Sequence, residues 1–257
     1  MAIHPTAIVA PGAELDSSAE VGPYAVIGPH VRLAAKVVVG PHAVIEGHTT
    51  VGAGTRIFQF ASVGAQPQDL KYAGEPTRLE IGEENQIREF TTLHIGTAGG
   101  GGVTRIGNQC LFMAYSHVAH DCQVGSGCIL GNVATLAGHV TLEDHVSLSG
   151  LTAAHQFTRI GRHAYISGGA MVTMDIPPYC TAQGDRAELN GLNTVGLTRA
   201  GFTADQIARI KSAYRIIFRS KLGLREALAQ VKAEHPGQPE VEHFVRFIEG
   251  SERGIAR

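Results

Sequence analysis

The sequence predicts a mainly β fold, a parallel β-helix over residues 1–185 followed by a small α-helical C-terminal domain over residues 186–257. The first observation is an aliphatic residue at every sixth position, from Ile3 to Val63 and again from Ile106 to Val172. This spacing matches neither the roughly 3.6-residue period of a helix nor the roughly two-residue period of a strand. The second observation is that the hexads stop after Pro177-Pro178, and apolar residues then recur at helical spacing.

The hexads predict a narrow interior, because each also carries a small residue at its fifth position, as at Ala7, Ala13 and Ala25. Three short strands with their bends would close a triangular coil of about 18 residues, and stacked coils would pair as parallel strands. Gly-Pro pairs after the aliphatic residue, as in Val21-Gly22-Pro23, fit tight corners. The hexads resemble those of the hexapeptide acyltransferases, and this resemblance implies a left-handed coil.

Two segments interrupt the period, residues 64–78, which are polar, and residues 96–104, which are rich in glycine. Excursions from a regular solenoid commonly carry function. The second segment lacks the Gly-Lys-Ser/Thr ending of a phosphate-binding loop, so we interpret it as a flexible loop. Beyond the hexads, Thr203-Ala204-Asp205-Gln206 has the pattern of a capping box that opens a helix. Further helices are predicted over residues 224–234 and about 240–249.

Composition narrows the function classes. No apolar run approaches the length of a membrane span, and the first residues lack the features of a signal peptide, so we expect a cytoplasmic protein. The four cysteines show no CxxC spacing, which argues against a structural zinc site. Residues 1–185 carry 9 Lys+Arg and 15 Asp+Glu, whereas residues 186–257 carry 12 and 8. The modestly basic C-terminal region is suited to an acidic partner or is simply a solvated helical surface.

A histidine cluster from residue 117 onward is the strongest candidate for chemistry. One 18-residue coil beyond His120 is Gly138, and a second is Gln156, while Asp121 is followed by His139. These residues should form adjacent columns on one outer corner of the coil. A histidine beside a carboxylate can act as a general base. A glycine one coil above offers a backbone N–H to an oxyanion, and the combination suggests acyl transfer.

Other interpretations of the same histidines stay open from the residues alone. They could decorate a polar corner of a non-enzymatic scaffold. His117, His120 and His139 could also be zinc ligands, as in the γ-class carbonic anhydrases, which share hexapeptide repeats. Those enzymes usually have shorter chains that lack the basic helical region seen here, which argues against a metal site.

Several longer stretches resemble one family over almost the whole chain. They are IHPTAIV, IGPHV, QFASVG, QDLKYAGEPT, HVAHDC, ATLAGHV, AAHQF, IPPYCTAQG and the terminal RGIAR. The chain is similar to the acyl-[acyl-carrier-protein]–UDP-N-acetylglucosamine O-acyltransferases, which catalyse the first step of lipid A biosynthesis. The combination of QDLKYAGEPT with HVAHDC is specific, whereas hexads alone are not.

The resemblance implies a role for each matching residue. His120 would be the general base that removes a proton from the sugar 3-hydroxyl, with Asp121 supporting it and the Gly138 N–H stabilising the oxyanion. The sugar and acyl site would be lined by His117, His139, His155 and Gln156. Asp69 and Lys71 would contact the substrate from a neighbouring subunit of a homotrimer. Asn193 and Arg199 would hold the nucleotide, and Gly168 would set the acyl length. A glycine at that position leaves the groove open and favours a long (R)-3-hydroxyacyl chain of about fourteen carbons.

The resemblance also implies that no cofactor and no metal is required, and it names a partner and shows departures. Acyl carrier proteins are acidic, so basic residues of the C-terminal region are docking candidates. These are Arg209, Lys211, Arg215, Arg219 and Lys221. The family often has two consecutive arginines where this chain has Arg199-Ala200, and an acid at Val195. HIGT replaces a common HRGT at residues 94–97.

Two rival enzymes stay open at this point. One is the related N-acyltransferase of the same pathway, which normally carries an extra N-terminal domain. The other is an acetyltransferase that uses acetyl-coenzyme A.

Overall fold

The computed structural model describes residues 2–257, and in this range it contains short strands, one 3₁₀ turn and four α-helices. The strands are β1 Ala2–Ile3, β2 Ile8–Val9, β3 Glu14–Leu15, β4 Glu20–Val21, β5 Val26–Ile27, β6 Arg32–Leu33, β7 Val38–Val39, β8 Val44–Ile45, β9 His48–Val51, β10 Arg56–Ile57, β11 Ser62–Ala65, β12 Arg78–Ile81, β13 Gln86–Ile87, β14 Thr92–His94, β15 Val103–Ile106, β16 Leu111–Phe112, β17 His117–Val118, β18 Gln123–Val124, β19 Ile129–Leu130, β20 Thr135–Leu136, β21 Thr141–Leu142, β22 Ser147–Leu148, β23 Ala153–Ala154, β24 Arg159–Ile160, β25 Tyr165–Ile166, β26 Met171–Val172, β27 Cys180–Gln183 and β28 Glu188–Leu192. The helices are α1 Thr194–Arg199, α2 Ala204–Arg219, α3 Leu224–Glu234 and α4 Pro239–Glu249, and the 3₁₀ turn is Ala98–Gly100.

Every third strand stacks in the same sheet, so the strands form three faces of a triangular prism. The first face has 11 strands from β1 to β28, the second has 9 from β2 to β26, and the third has 8 from β3 to β24. Strand pairing is parallel except between β27 and β28. The register confirms the 18-residue coil, since Val118 pairs with Leu136 and Leu136 with Ala154.

Three corners join the faces, and we number each after the face that it follows along the chain. The first corner carries Tyr115, Val133 and Leu151; the second carries His120, Gly138 and Gln156; the third carries Gly127, His145 and His163.

The interior of the coil is filled by the two inward positions of each hexad. Ile27, Ile45 and Leu130 are fully buried aliphatic residues, and Ala25 and Cys128 are fully buried small ones. Burying a side chain of the size of isoleucine or leucine stabilises the fold by roughly 1.5–3 kcal/mol. The repeat of one large and one small residue therefore keeps a narrow core packed over the whole length of the prism.

The two interruptions of the period lengthen two turns of the prism. The first leaves after β11 and returns at β12, and the second leaves after β14 and returns at β15. The second was predicted as a flexible loop, but it is a compact turn in which Gly102 N donates to Thr97 O at 2.8 Å. Thr97 also caps the 3₁₀ turn by accepting from Gly100 N. Because these hydrogen bonds fix Thr97, Gly100 and Gly102, this segment has a defined conformation.

The C-terminal region contains the three predicted helices, now α2, α3 and α4, and the capping box of Thr203 and Gln206 is present. Helix α1 and the antiparallel pair of β27 and β28 were not predicted. This pairing continues β structure to Leu192, and a boundary at residues 185/186 stays a prediction. Within residues 2–257, no helix combines the length and the apolar character needed to cross a bilayer.

Candidate active site

His120 and Asp121 lie together on the second corner. His120 Nδ1 is 2.7 Å from Asp121 Oδ2, and the side chains are 14% and 0% exposed. A carboxylate can only accept at this distance, so the proton of the neutral imidazole lies on Nδ1. The Nε2 lone pair of His120 is therefore free to accept a proton from a bound hydroxyl.

The carboxylate of Asp121 is held from the second interruption of the period. Thr97 N donates to Asp121 Oδ1 at 2.8 Å, and Thr97 Oγ1 donates to Oδ2 at 2.6 Å. Asp121 N in turn donates to Thr104 Oγ1 at 2.8 Å, which supports the left-handed backbone of Asp121 at φ 62°. The glycine-rich turn thus orients the carboxylate that orients His120. Neither threonine was predicted as a site residue, although Thr97 ends the HIGT stretch.

Gly138 lies directly over His120. A Cβ on Gly138 would be 2.6 Å from His120 Cε1 and 2.8 Å from Nε2, so only glycine leaves room for the imidazole. The Gly138 N–H has no acceptor within residues 2–257. The coil does not need an N–H at this hexad position, because early coils have proline there, at Pro5, Pro11, Pro23, Pro29 and Pro41. The free N–H beside the base is suited to stabilise an oxyanion.

We expect Gly138→Ala to lower kcat by about 100-fold, because the new methyl group displaces the His120 ring while the N–H remains. The measurement is steady-state acyl transfer together with the melting temperature. Gly223→Ala is the control, since a Cβ there would meet only Glu226 Oε2 at 3.9 Å. Full activity of Gly138→Ala would contradict the tight stacking of the two residues.

His139 completes the corner beside the pair. Its backbone N donates to His120 O at 3.0 Å, its ring stacks on Phe157 at 4.4 Å, and its Nε2 lies 3.8 Å from Asp121 Oδ2. Burial lowers the pKa of His139, and nearby His120 adds to this, whereas the charges of Asp121 and Asp69 oppose it. Asp69 belongs to the first interruption, so its charge reaches the second corner of its own chain.

Partly buried His117 and buried His94 lie on the second face, beside the corner. His117 Nδ1 is 2.7 Å from Thr92 Oγ1, and the rings of His117 and His94 meet edge to face at 4.9 Å. Burial, with a smaller effect of His120, lowers the pKa of His117. Burial, followed by the charges of His117 and His120, lowers the pKa of His94 to about 4. His94 was not predicted as a site residue, and its Nδ1 is buried without a hydrogen-bond partner in residues 2–257.

The lowered pKa of His94 predicts an acid-sensitive fold. An unfolded histidine titrates near 6.5, whereas folded His94 titrates at about 4, so protonation favours the unfolded chain. The contribution of neutral His94 is complete above pH 6.5 and is lost as the pH falls toward 4. We therefore expect the unfolding free energy of the wild type to fall more steeply over this interval than that of His94→Gln, measured by urea denaturation. Parallel curves would contradict the prediction.

The same corner contains a group that could hold a metal ion, formed by His120, Asp121 and His139, with ligand atoms within 4.8 Å of one another. The zinc alternative from the sequence named His117 instead of Asp121, and His117 is not in this group. The Asp121 oxygens already accept from Thr97 and His120. Hydrogen bonds therefore explain why His120 and Asp121 lie together. The group with Asp121 does not fit the zinc alternative, whose third ligand was His117.

The other predicted site residues lie on separate faces of one chain. His155 and Gln156 are exposed on the second corner, one coil above Gly138, and Lys71 is exposed in the first interruption. Gly168 lies on the first corner. Asn193 and Arg199 line a groove of about 870 Å³ on the first face, beside the third corner. One chain therefore does not bring the predicted sugar, acyl and nucleotide residues together.

Asn193, one of the two predicted residues in this groove, has a structural role. Asn193 caps α1 by accepting from Gly196 N at 3.0 Å, and its Nδ2 donates to His163 O at 3.0 Å. Arg199 is exposed at the end of the same helix, and Val195 is 61% exposed between them. The nucleotide roles of Asn193 and Arg199 stay predictions.

The chain is similar to known proteins in both sequence and fold. The family model described as Udp N-acetylglucosamine O-acyltransferase, domain 2, matches residues 175–256, and the bacterial transferase hexapeptide model matches residues 104–138. The chain is 66% identical to the acyl-[acyl-carrier-protein]–UDP-N-acetylglucosamine O-acyltransferase of Myxococcus xanthus over 99% of both chains. It is 62% identical to the enzyme of that name from an Anaeromyxobacter species over 100% of both.

Solved structures give the same result. LpxA from Acinetobacter baumannii has a TM-score of 0.96 at 42% identity over 99% of both chains, and LpxA from Moraxella catarrhalis has 0.97 at 42% over 100% of both. These likenesses confirm the predicted left-handed parallel β-helix with its small helical C-terminal part. The predicted resemblance is also confirmed: the chain belongs to the acyl-[acyl-carrier-protein]–UDP-N-acetylglucosamine O-acyltransferase family.

Proposed function

We propose that this protein transfers an (R)-3-hydroxyacyl chain from acyl carrier protein to the 3-hydroxyl of UDP-N-acetylglucosamine, the first step of lipid A biosynthesis. The names of its relatives support the substrates. The observation that carries the chemistry is the His120–Asp121 pair, 2.7 Å apart, beneath the unbonded N–H of Gly138. This combination supplies both a base for a hydroxyl and a donor for an oxyanion.

The reaction follows from these two groups. His120 Nε2 takes the proton of the sugar 3-hydroxyl as its oxygen attacks the thioester carbonyl carbon. The carbonyl oxygen becomes an oxyanion that the Gly138 N–H stabilises. Collapse of the intermediate breaks the carbon–sulfur bond, and the imidazolium returns its proton to the leaving thiolate. A general base contributes about 10²–10⁴-fold in rate and one oxyanion donor about 10²–10³-fold.

The layout of the residues supports a site shared between copies of the chain. The base lies on the second corner, whereas the nucleotide residues lie on the first face and Gly168 lies on the first corner. A homotrimer with sites between subunits unites them, as proposed from the family resemblance. In this arrangement Asp69 and Lys71 act across the subunit boundary, with Asp69 also near His139 of its own chain.

The first corner is suited to an acyl chain. A Cβ on Gly168 would approach Gly150 O no closer than 3.5 Å, so glycine here leaves surface open instead of avoiding a clash. Val133 and Leu151 on the same corner are 45% and 64% exposed, and provide apolar surface. These features support a long acyl chain along this corner, with Gly168 at its limit.

The basic residues proposed for docking of acyl carrier protein are not equivalent. Arg209 forms an ion pair with Glu240 at 2.7 Å, and the Glu240 side chain is 5% exposed. Arg209 therefore connects α2 to α4, and we remove it from the docking surface. Lys211, Arg215 and Arg219 are exposed and follow one another at four-residue spacing on α2, and exposed Lys221 comes just beyond it. None of these four forms an ion pair within residues 2–257.

We expect the quadruple change of Lys211, Arg215, Arg219 and Lys221 to glutamate to raise the KM for acyl carrier protein at least tenfold at low salt, while the KM for the nucleotide sugar stays the same. The salt dependence of that KM should also weaken. Lys36→Glu, an exposed lysine on the β-helix, is the control. An unchanged KM for acyl carrier protein would remove this surface from the proposal.

The proposed function is tested by supplying purified protein with competing donors and acceptors. The donors are (R)-3-hydroxyacyl thioesters of acyl carrier protein of different lengths and the matching coenzyme A thioesters. The acceptors are UDP-N-acetylglucosamine and its 3-amino analogue, with products read by mass spectrometry. Transfer from acyl carrier protein to the 3-hydroxyl supports the proposal. Exclusive use of coenzyme A would replace it with the rival acetyltransferase, and acylation of the 3-amino analogue alone would change the acceptor to the 3-amino sugar.

A cytoplasmic location belongs to the same proposal. All four cysteines are free and buried thiols, which agrees with a reducing compartment. Separating the host cell into its fractions and following the protein with an antibody would test this.

A further inference from the structure

The C-terminal tail, residues 251–257, is hydrogen-bonded to Asp175 near the last coil of the β-helix. Asp175 N donates to Gly254 O at 2.9 Å, and Ala256 N donates to Asp175 O at 2.9 Å. Ser251 Oγ also donates to Asp175 Oδ2 at 2.8 Å. Asp175 aligns with Arg159 at the start of the third face, because its neighbour Ile176 pairs with Ile160. The tail therefore lies where the second corner meets the third face, beyond the proposed base and oxyanion donor.

Arg253 extends from this tail to a predicted site histidine. Its Nε donates to Thr173 O at 2.7 Å, and one of its terminal nitrogens lies 2.9 Å from His155 Nδ1. His155 and Thr173 occupy the same hexad position in successive coils, so the guanidinium spans two layers of the corner. The contact joins residues 98 positions apart in the sequence.

We propose that Arg253 is a positioning residue, which fixes the His155 tautomer with Nδ1 as acceptor and Nε2–H as a donor to a substrate oxygen. An arginine guanidinium can only donate, so Nδ1 must present its lone pair to it. The neutral ring then carries its proton on Nε2. This inference rests on the proposed function, because it assigns His155 a place beside the substrate.

A competing partner explains why the arginine is needed. His155 Nδ1 also lies 3.1 Å from Gln156 O, and a carbonyl can only accept. Nδ1 can serve one of these partners and not both. Arg253 is the closer, and its hydrogen bond is charge-assisted, so it prevails. Without Arg253, Nδ1 keeps a proton to donate to Gln156 O, and Nε2 becomes a bare acceptor.

The test is a double-mutant cycle on the full-length enzyme with acyl carrier protein thioester and UDP-N-acetylglucosamine. We expect Arg253→Ala and His155→Ala each to lower kcat/KM by about tenfold, and the double variant to be no worse than His155→Ala alone. Arg253→Lys should recover part of the loss, since lysine keeps one donor. Glu252→Ala, an exposed neighbour in the tail, is the matched control.

A spectroscopic measurement separates positioning from simple support of the fold. The ¹⁵N signals of His155, identified by their absence from His155→Ala, should show Nδ1 as an acceptor in the wild type. In Arg253→Ala the proton should move to Nδ1, with the melting temperature changed little. An unmoved tautomer would overturn the proposal. Additive losses in the double variant would also overturn it, since Arg253 would then act independently of His155.

Different results would contradict the proposed function and the proposed role of Arg253. If the wild type transfers no acyl group from either donor, the proposed function fails, whatever the tautomer of His155. If the wild type is active but Arg253→Ala leaves both kcat/KM and the tautomer unchanged, the proposed function stands and the role of Arg253 is wrong.

Discussion

His120→Ala is expected to lower kcat by about 10²–10⁴-fold, since it removes the general base. The change should have little effect on folding, because His120 is on a corner and outside the buried core. The KM values should change far less than kcat, because the imidazole acts mainly in the transition state. The measurement is single-turnover acyl transfer together with thermal unfolding.

His30→Ala is the matched control for this experiment. His30 is exposed and its ring stacks only on His48, with centroids 4.3 Å apart, far from the second corner of the later coils. This variant should retain wild-type activity. A fully active His120→Ala would place the base elsewhere, whereas a wild type without acyl transfer would favour the interpretation of the protein as a non-enzymatic scaffold.

Asp121→Asn is expected to lower kcat by about 10³–10⁴-fold while keeping the shape of the side chain. Asp121 accepts from Thr97 N, from Thr97 Oγ1 and from His120 Nδ1. An amide has one acceptor oxygen, so its NH₂ group must face one of these donors. If the oxygen keeps the Thr97 N–H, the NH₂ group faces His120 and forces Nδ1 to accept. The His120 proton then moves to Nε2, which can no longer act as a base.

Unfolding measurements give this prediction a second readout. The side chain is completely buried, and the amide replaces hydrogen bonds to a charged group, which contribute about 1.5–3 kcal/mol, by neutral ones, which contribute about 0.5–1.5 kcal/mol. We therefore expect a lower unfolding free energy for Asp121→Asn as well as lower activity. Asp16→Asn, at an exposed aspartate of an early corner, should change neither by much. Retention of activity by Asp121→Asn would show that the tautomer of His120 is set by another group.

The fold was predictable because the hexad acts locally. Each inward residue, such as Ile27 or Leu130, is buried by its own coil and its neighbours, so the period shows directly in the sequence. The stacking of Gly138 over His120 follows from the same arithmetic, since no interruption separates those two coils. Helix α1 carries no comparable signal, because it has six residues and is capped by an asparagine whose other contact is to the third corner.

The remaining parts of the site involve contacts that the period cannot supply. Thr97 meets Asp121 across an interruption whose length is not a multiple of six, so counting coils does not align them. Arg253 meets His155 only because the helical region folds back onto the last coil. Arg209 was chosen as a docking residue because of its charge alone. Its ion pair with Glu240, 31 residues away, appears only in the folded chain.

The unused N–H at the third hexad position has a consequence for how such enzymes arise. An N–H without an acceptor at this position, as at Gly138, is a place for an anion, whereas proline removes the N–H in the early coils and side chains bond it at Asn108 and Ser126. A new active site then needs only an unbonded N–H at this position and a histidine one coil below, 18 residues earlier in the chain. The same pair of base and oxyanion donor could be formed on another coil of the prism without changing the rest of the fold.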